Sequence, residues 1–370
     1  NRGSMAFNID NFLIKSHKAK ASDIHVNCRK YPSLRINGEI FKISTETISN
    51  DDIRDILLKT LPKDYPVAIS DLKDADYIYE IPEVARYRVN YCRDIYGGKF
   101  TFRIIPYHMK SWGELCIPEF IKEYANFNNG IVFVTGPTGS GKSTTLASII
   151  ELINENRKKH IVTIEDPVEF IYEDKKSIIT QRSLGIDVPD FQTGIKYSLR
   201  QDPDVILIGE IRDDDTLISA IEAAETGHLV FSTLHTNGTI ATINRLIGFI
   251  EKNNQMEFMK RLAGCVRGII HQQLVPTVKN RALIPAFEVL TFTSTVVDYV
   301  KDGKLHEIDL LMQKSKQGNI MTMNSSLFNL YLNKVITKET AMEFSLEKVE
   351  MEQLLRGKLK NTNSIDDSIL

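Results

Sequence analysis

The rhythm of apolar positions changes across Tyr107 to Pro118. Before that stretch, short β-branched and aromatic runs at Ile24 to Asn27, Ser33 to Ile36, Ile40 to Ile43, Ala75 to Ile81, Ala85 to Cys92 and Gly98 to Ile105 each predict a strand. Asn37–Gly38 is a hairpin signal, and Gly97–Gly98 marks the turn between the last two runs. Helices are predicted over Asn8 to Lys20 and at about Asp51 to Thr60, the second capped by Asn50. Strands with so few long helices between them exclude a parallel sheet and predict a small α+β domain ending near Pro106.

Beyond the change, four apolar runs, Ile131 to Val134, Ile161 to Ile164, Val205 to Ile208 and Leu229 to Ser232, are separated by helical segments. That is the βαβ rhythm of a parallel sheet. After about Glu251 the pattern predicts helices at Gln255 to Gln273, Ser294 to Lys301, Ser325 to Leu332 and Lys338 to Leu355. The expected division is therefore an N-terminal α+β domain over 5–106, a linker over 107–118, an α/β core over 119–250, a helical part over 251–358 and a polar, frayed tail over 359–370. Residues 1–4, ahead of Met5, read as a cloning remnant.

One stretch carries nameable chemistry. Directly after the run ending at Val134, the chain reads Thr135–Gly136–Pro137–Thr138–Gly139–Ser140–Gly141–Lys142–Ser143–Thr144, and Leu146, Ile149, Ile150 and Ile153 then recur at helical spacing. Strand, glycine loop and helix are the context that a phosphate-binding P-loop requires. Its glycines let backbone N–H groups turn around phosphate oxygens, and the helix N-terminus adds its positive end. Residues 136–144 are thus the candidate nucleotide cradle, with Lys142 reaching the β- and γ-phosphates and Ser143 ligating Mg²⁺. The expected ligand is ATP or GTP.

Hydrolysis also needs a polarised water, a metal and compensating positive charge. The second apolar run ends in Thr163–Ile164–Glu165–Asp166–Pro167–Val168–Glu169, which brings carboxylates to the sheet edge beside the P-loop. The third ends in Ile208–Gly209–Glu210, a Walker B layout with glycine in place of the usual aspartate, so Glu210 takes the acidic role through a water on Mg²⁺. The fourth is flanked by His228 and His235, and His235 falls at the same edge as Glu165 and Glu210. His235 is expected to sense the γ-phosphate, with His228 as a second nucleotide contact. Arg86, Arg88 and Arg103 lie on strands of the first domain, where arginines are ordinarily just solvated.

Charge balance changes the picture by exclusion. With 46 basic and 48 acidic residues, no global positive field argues for nucleic acid, and the basic clusters at Arg29–Lys30, Arg157–Lys158–Lys159 and Lys175–Lys176 lack an aromatic stacking platform. The four cysteines, Cys28, Cys92, Cys116 and Cys265, form no CxxC pair, so reduced thiols and a cytoplasmic setting are expected. No apolar run reaches the length of a membrane span, and no signal peptide is recognised.

Four motifs in order, GPTGSGKST, TIEDPVEF, LRQDPDVILIGEIRD and TGHLVFSTLHTN, resemble the Walker A, Asp box, atypical Walker B and His box of the motor ATPases of type II secretion and type IV pili. ASDIHVN, RINGEI and GNIMTMNSSLFNLYLNKVITKETA are most similar to the PilT-type retraction class, and the likeness runs from about Ala21 to Ala341. The resemblance implies a PAS-like N-terminal domain, a RecA-like P-loop ATPase domain with a helical C-terminal subdomain, and a homohexameric ring whose domains pivot with nucleotide state. It implies that Glu165 polarises the attacking water, that Glu210 is needed for hydrolysis, that His235 senses the γ-phosphate, and that Arg88 and Arg103 reach nucleotide phosphates. An inner-membrane platform protein is the implied partner, with peripheral membrane association through it. Extension-type and secretion-type members carry a further N-terminal domain and a four-cysteine zinc site, neither of which is found here. The retraction-class motif AIRNLIRE has no counterpart in Ser294 to Lys301, and the engine motifs are shared with pilus-assembly, secretion and DNA-transfer members.

Overall fold

Alternating burial along the first hundred residues produces an antiparallel sheet in the computed structural model, which describes residues 7–36, 38–105, 109–279, 282–315 and 319–357. Asn37, Pro106, Tyr107, the first four residues and the expected tail lie outside the described residues. The chain forms two units: Asn1–Met109 with Asp166–Ile171 and Arg182–Pro189, and Lys110–Glu165 with Tyr172–Gln181 and Asp190–Leu370.

The first unit runs α1 (Ile9–Lys18), β1 (Asp23–Asn27), β2 (Ser33–Ile36), β3 (Glu39–Lys42), α2 (Asn50–Thr60), β4 (Asp74–Ile81), β5 (Ala85–Asp94) and β6 (Gly97–Ile105), with sheet order β3-β2-β1-β6-β5-β4. Tyr87, Val89, Phe100 and Phe102 lie on the face that packs with Leu13 of α1 and Ile56 of α2 in one core. Period-two burial of this kind is what a sheet covered on one face demands. The α2 cap differs from expectation. Ser49 is the N-cap and makes a reciprocal capping box with Asp52, while the Asn50 side chain instead accepts from the Cys28 thiol. Two neighbouring residues competed for the cap, and the one with a carboxylate three positions on won.

The second unit runs β7 (Gly130–Thr135), α3 (Lys142–Asn156), β8 (His160–Glu165), β9 (Ile178–Ser183), α4 (Phe191–Ser198), β10 (Val205–Ile208), α5 (Asp214–Glu225), β11 (Leu229–Leu234), α6 (Thr239–Gly248), α7 (Gln255–Cys265), β12 (Val266–Pro276), β13 (Leu283–Thr291), α8 (Ser294–Lys301), α9 (Leu305–Lys314), β14 (Ile320–Met321), α10 (Met323–Leu332), α11 (Lys338–Phe344) and α12 (Lys348–Leu355). Its eight strands are ordered β14-β13-β12-β7-β11-β10-β8-β9. Strands β12, β7, β11, β10 and β8 are parallel neighbours, so the architecture is the α/β P-loop type, with helices α10 to α12 gathered around a separate apolar cluster that includes Met323, Leu327, Ile336 and Met351.

The helix expected over Gln255 to Gln273 is a helix only to Cys265, after which the chain passes straight into β12. A strand buried on both faces has no alternation, so periodicity alone cannot tell it from a buried helix. Gly268 was the legible signal. A Cβ there would lie 2.3 Å from the Tyr124 ring, the close approach that glycine marks inside a strand.

Candidate active site

Parallel register decides which residues meet. Leu234 of β11 lies beside Thr135 of β7, Ser232 beside Ile208 of β10, and Ile208 beside Ile164 of β8. The P-loop, the His235 loop, Glu210 and Glu165 therefore all leave the same edge of the sheet, where ligands of open α/β sheets bind.

The P-loop needs its glycines for two reasons. Gly136, Gly139 and Gly141 have φ of +146°, +80° and +87°, and a Cβ on Gly136 would meet the Gln272 carbonyl oxygen at 2.2 Å. Gly141 is the N-cap of α3 without a side-chain cap bond, so no side chain of the cap competes for the first-turn N–H groups that an anion would take. The Lys142 ammonium donates to the carbonyls of Gly136 at 2.8 Å and Pro137 at 2.9 Å, and its Nζ lies 3.5 Å from His235 Nδ1. Burial pushes the Lys142 pKa below the usual lysine range, and the negative charge of Glu210 acts against that push.

Glu210 is largely buried, with His235 Nε2 3.2 Å from its carboxylate and Arg212 paired to its other oxygen. The glycine in the usual aspartate position has a packing reason. The Gly209 N–H donates to the Ile164 carbonyl at 2.8 Å, and a Cβ on Gly209 would sit 3.3 Å from the Glu165 Cα, so the ends of β10 and β8 touch through it. Glu165 ends β8 half-buried. Its charge, after desolvation, helps hold the fully buried Tyr172 phenol far above its ordinary pKa and neutral.

Lys142, Glu210 and His235 are thus brought together, with Glu165 at the same edge. His228 is not. It precedes β11, its N–H donates to Ala223 O and its carbonyl accepts from Gly130 N–H, both at the opposite edge, roughly 20 Å away by the rise of a six-residue strand. The expectation that His228 contacts nucleotide at this P-loop is corrected: one strand carries both histidines, at opposite ends. Arg88 and Arg103 belong to the other unit, directly opposite one another on β5 and β6. Arg103 Nε donates to Asp23 at 2.9 Å and Arg88 to Glu169 at 3.2 Å, while Arg86 donates to the Glu169 carbonyl.

Three further residues line this edge without a signal of their own in the sequence. Arg212 stands there only within a motif, and His271 and Gln272 fall in the apolar run that also suits a helix. Gln272 accepts from the Thr145 hydroxyl at 2.6 Å, tying α3 to β12, and His271 Nδ1 lies 3.3 Å from the Thr135 hydroxyl. Burial, then the Lys142 charge, depresses the His271 pKa to about 4, which keeps the ring neutral beside the ammonium.

Residues 97–362 match the family described as Type II/IV secretion system protein. The chain belongs to this family. Within the secretion system protein family it is similar to a twitching motility protein of Neisseria gonorrhoeae, 36% identical over 84% of this chain and 83% of that protein. It is 32% identical to the type IV pilus retraction ATPase PilT of Pseudomonas aeruginosa, over 90% of this chain and 97% of the relative. A crystal structure of the pilus retraction motor PilT with bound ADP superposes with a TM-score of 0.86 at 34% identity, covering 94% of this chain and 99% of the other.

Proposed function

We propose that the chain is a Mg²⁺-dependent ATPase that works as a homohexameric motor driving type IV pilus retraction. The observation that carries the reading is the convergence of Lys142, Glu210 and His235 at the P-loop edge, in a chain similar over nearly its whole length to retraction ATPases. Residues 136–144 cradle the phosphates, Lys142 takes the β- and γ-oxygens, Glu165 polarises the attacking water and His235 senses the γ-phosphate. Arg88 and Arg103 leave their carboxylate partners for the phosphates when the N-terminal domain, 5–106, pivots against the P-loop domain.

The donor set fits Mg²⁺. Ser143 and Glu210 offer hard oxygens, the donors that Mg²⁺ takes. Ser143 would hold the ion directly and Glu210 through water, and the ion would neutralise charge between the β- and γ-phosphates. No described helix is long and apolar enough to cross a membrane. In this reading the ring acts at the cytoplasmic face of the inner membrane through a platform protein.

Deleting the locus and counting surface pili while following fibre shortening tests the reading, with a Glu210→Ala complement beside it. Excess pili that no longer shorten are expected. A second reading, a motor for pilus assembly, type II secretion or DNA transfer, is favoured by the departure at Ser294 to Lys301; loss of pili, or unchanged pili, would support it.

A further inference from the structure

We propose that Glu288 is a positioning residue that ties the His235 loop to the C-terminal helical layer, so that the γ-phosphate sensor and α10 are held by one carboxylate. The inference rests on the ATPase reading above. Glu288 sits on β13, outside every motif described in the sequence. Its Oε1 accepts from the Thr239 N–H at 2.7 Å and the Thr239 hydroxyl at 2.9 Å, and its Oε2 accepts from the Met323 N–H at 3.4 Å. Thr239 is the first residue of α6 and Met323 the first of α10, so one side chain closes two helix N-termini, where negative charge is stabilising.

The two helices differ in their need for it. α10 has its own cap, since Thr322 accepts from Ser325 N–H. α6 begins after Gly238 with no side-chain cap of its own, and Gly238 takes φ +110°, a conformation that L side chains rarely adopt.

α6 is in turn bonded to the His235 loop and to the last residue of β7. The Thr242 hydroxyl donates to the Gly238 carbonyl at 2.7 Å, lies 2.7 Å from the hydroxyl of Thr236, the residue after His235, and 3.4 Å from the hydroxyl of Thr135, the residue before the P-loop. Glu288 thus anchors the start of the element that sets the His235 loop, from a strand that also packs against α10. Desolvation raises the Glu288 pKa, the N–H and hydroxyl donors lower it, and Asp309 adds to the rise.

The test compares Glu288→Ala, Glu288→Gln, His235→Ala and the Glu288→Ala/His235→Ala double variant by ATP turnover, by binding of a fluorescent ADP, and by hydrogen exchange. Glu288→Ala is expected to lower kcat on the order of 10- to 100-fold, as misplacement of a catalytic group does. KM and ADP affinity stay within about twofold, because the P-loop is untouched. Glu288→Gln, which keeps one acceptor for Thr239, recovers part of the loss, and the double variant is no slower than the slower single one. Exchange quickens over Thr236–Leu246 and over α10 but not over α3. Defects that multiply in the double variant, a parallel loss of ADP affinity, or exchange quickened in α10 alone would overturn the proposal. Absence of turnover in the unmodified protein would instead fail the ATPase reading, and the exchange pattern would then decide for or against Glu288 by itself.

Discussion

In β5 the side chains alternate between core and surface, so Tyr87 and Val89 are buried while Arg88 between them is not, whereas β7 buries all six of its residues. A strand enclosed on both faces has no side chain left for chemistry. In the second unit the candidate reactive groups therefore stand at the strand ends, where they follow one another as contiguous motifs: P-loop after β7, Glu165 at the end of β8, Glu210 after β10, His235 after β11. In the first unit a functional side chain can stand at any alternate position, isolated among structural ones. The cross-strand Arg88–Arg103 pair shows the difference. Like charges directly opposite destabilise a sheet, and here Glu169 and Asp23 offset them.

The contrast breaks most visibly if the strand ends prove inert. Lys142→Ala and Glu210→Gln are expected to lower ATP turnover by about 10²–10⁴, the range for removing a catalytic acid, base or charge. Glu210→Gln retains nucleotide binding and Lys142→Ala loses it, which fluorescent ADP titration separates. Turnover within threefold of the unmodified protein in either variant would mean that the convergence at this edge is not the catalytic machinery.

The next effect addresses the alternating sheet. Arg88→Ala is expected to lower kcat on the order of 10²–10³, the loss seen when one preorganised stabiliser of transition-state charge is removed. The thermal midpoint changes little, because the Glu169 pair is partly exposed and worth little. If turnover holds while the protein melts earlier, the arginines on β5 and β6 are structural and the two sheets differ more than proposed.

What could be read in advance follows the same division. The parallel core and its edge residues were legible because runs such as Ile131 to Val134 are followed immediately by their chemistry. β12 was not, since Ile269, Ile270 and the buried His271 continue an apolar run that also suits a helix, and with it went Gln272. Arg212 lay in view, but its pairing with Glu210 depends on a turn that no periodicity reports. Glu288 was invisible for a different reason: its two partners, Thr239 and Met323, lie 49 and 35 residues away.

The buried ring gives a smaller effect with a definite sign. His271 titrates near 4 in the folded protein and near 6.5 when unfolded, so the unfolded state binds more protons between these values and stability falls as pH drops through that window. Between pH 7 and pH 5 the loss from this group amounts to roughly 2 kcal/mol. Glu288 acts oppositely, since its raised pKa favours the folded state on the acid side. Urea unfolding at both pH values should therefore show a flatter acid limb in His271→Gln and a steeper one in Glu288→Gln. An unchanged limb in His271→Gln would mean that the ring takes up its proton alike in the folded and unfolded states, with no effect of burial or of Lys142.

The smallest effect lies in the first unit and asks whether its local signals act only on stability. Ser49→Ala removes the oxygen that accepts from the Asp52 N–H at 3.1 Å and breaks a capping box whose carboxylate also accepts the Phe7 N–H at 3.1 Å. Such caps are worth about 1 kcal/mol. Asn50→Ala removes only the acceptor of a thiol, a weak donor, and costs less. Circular dichroism melts should thus order the variants as unmodified, Asn50→Ala, Ser49→Ala, with turnover per folded molecule the same in all three. The reverse order would restore Asn50 as the cap. A fall in turnover with Ser49→Ala would say more, because a cap on α2 can reach catalysis only through the sheet that carries Arg88 and Arg103, and the antiparallel unit would then be part of the engine rather than a support for two of its residues.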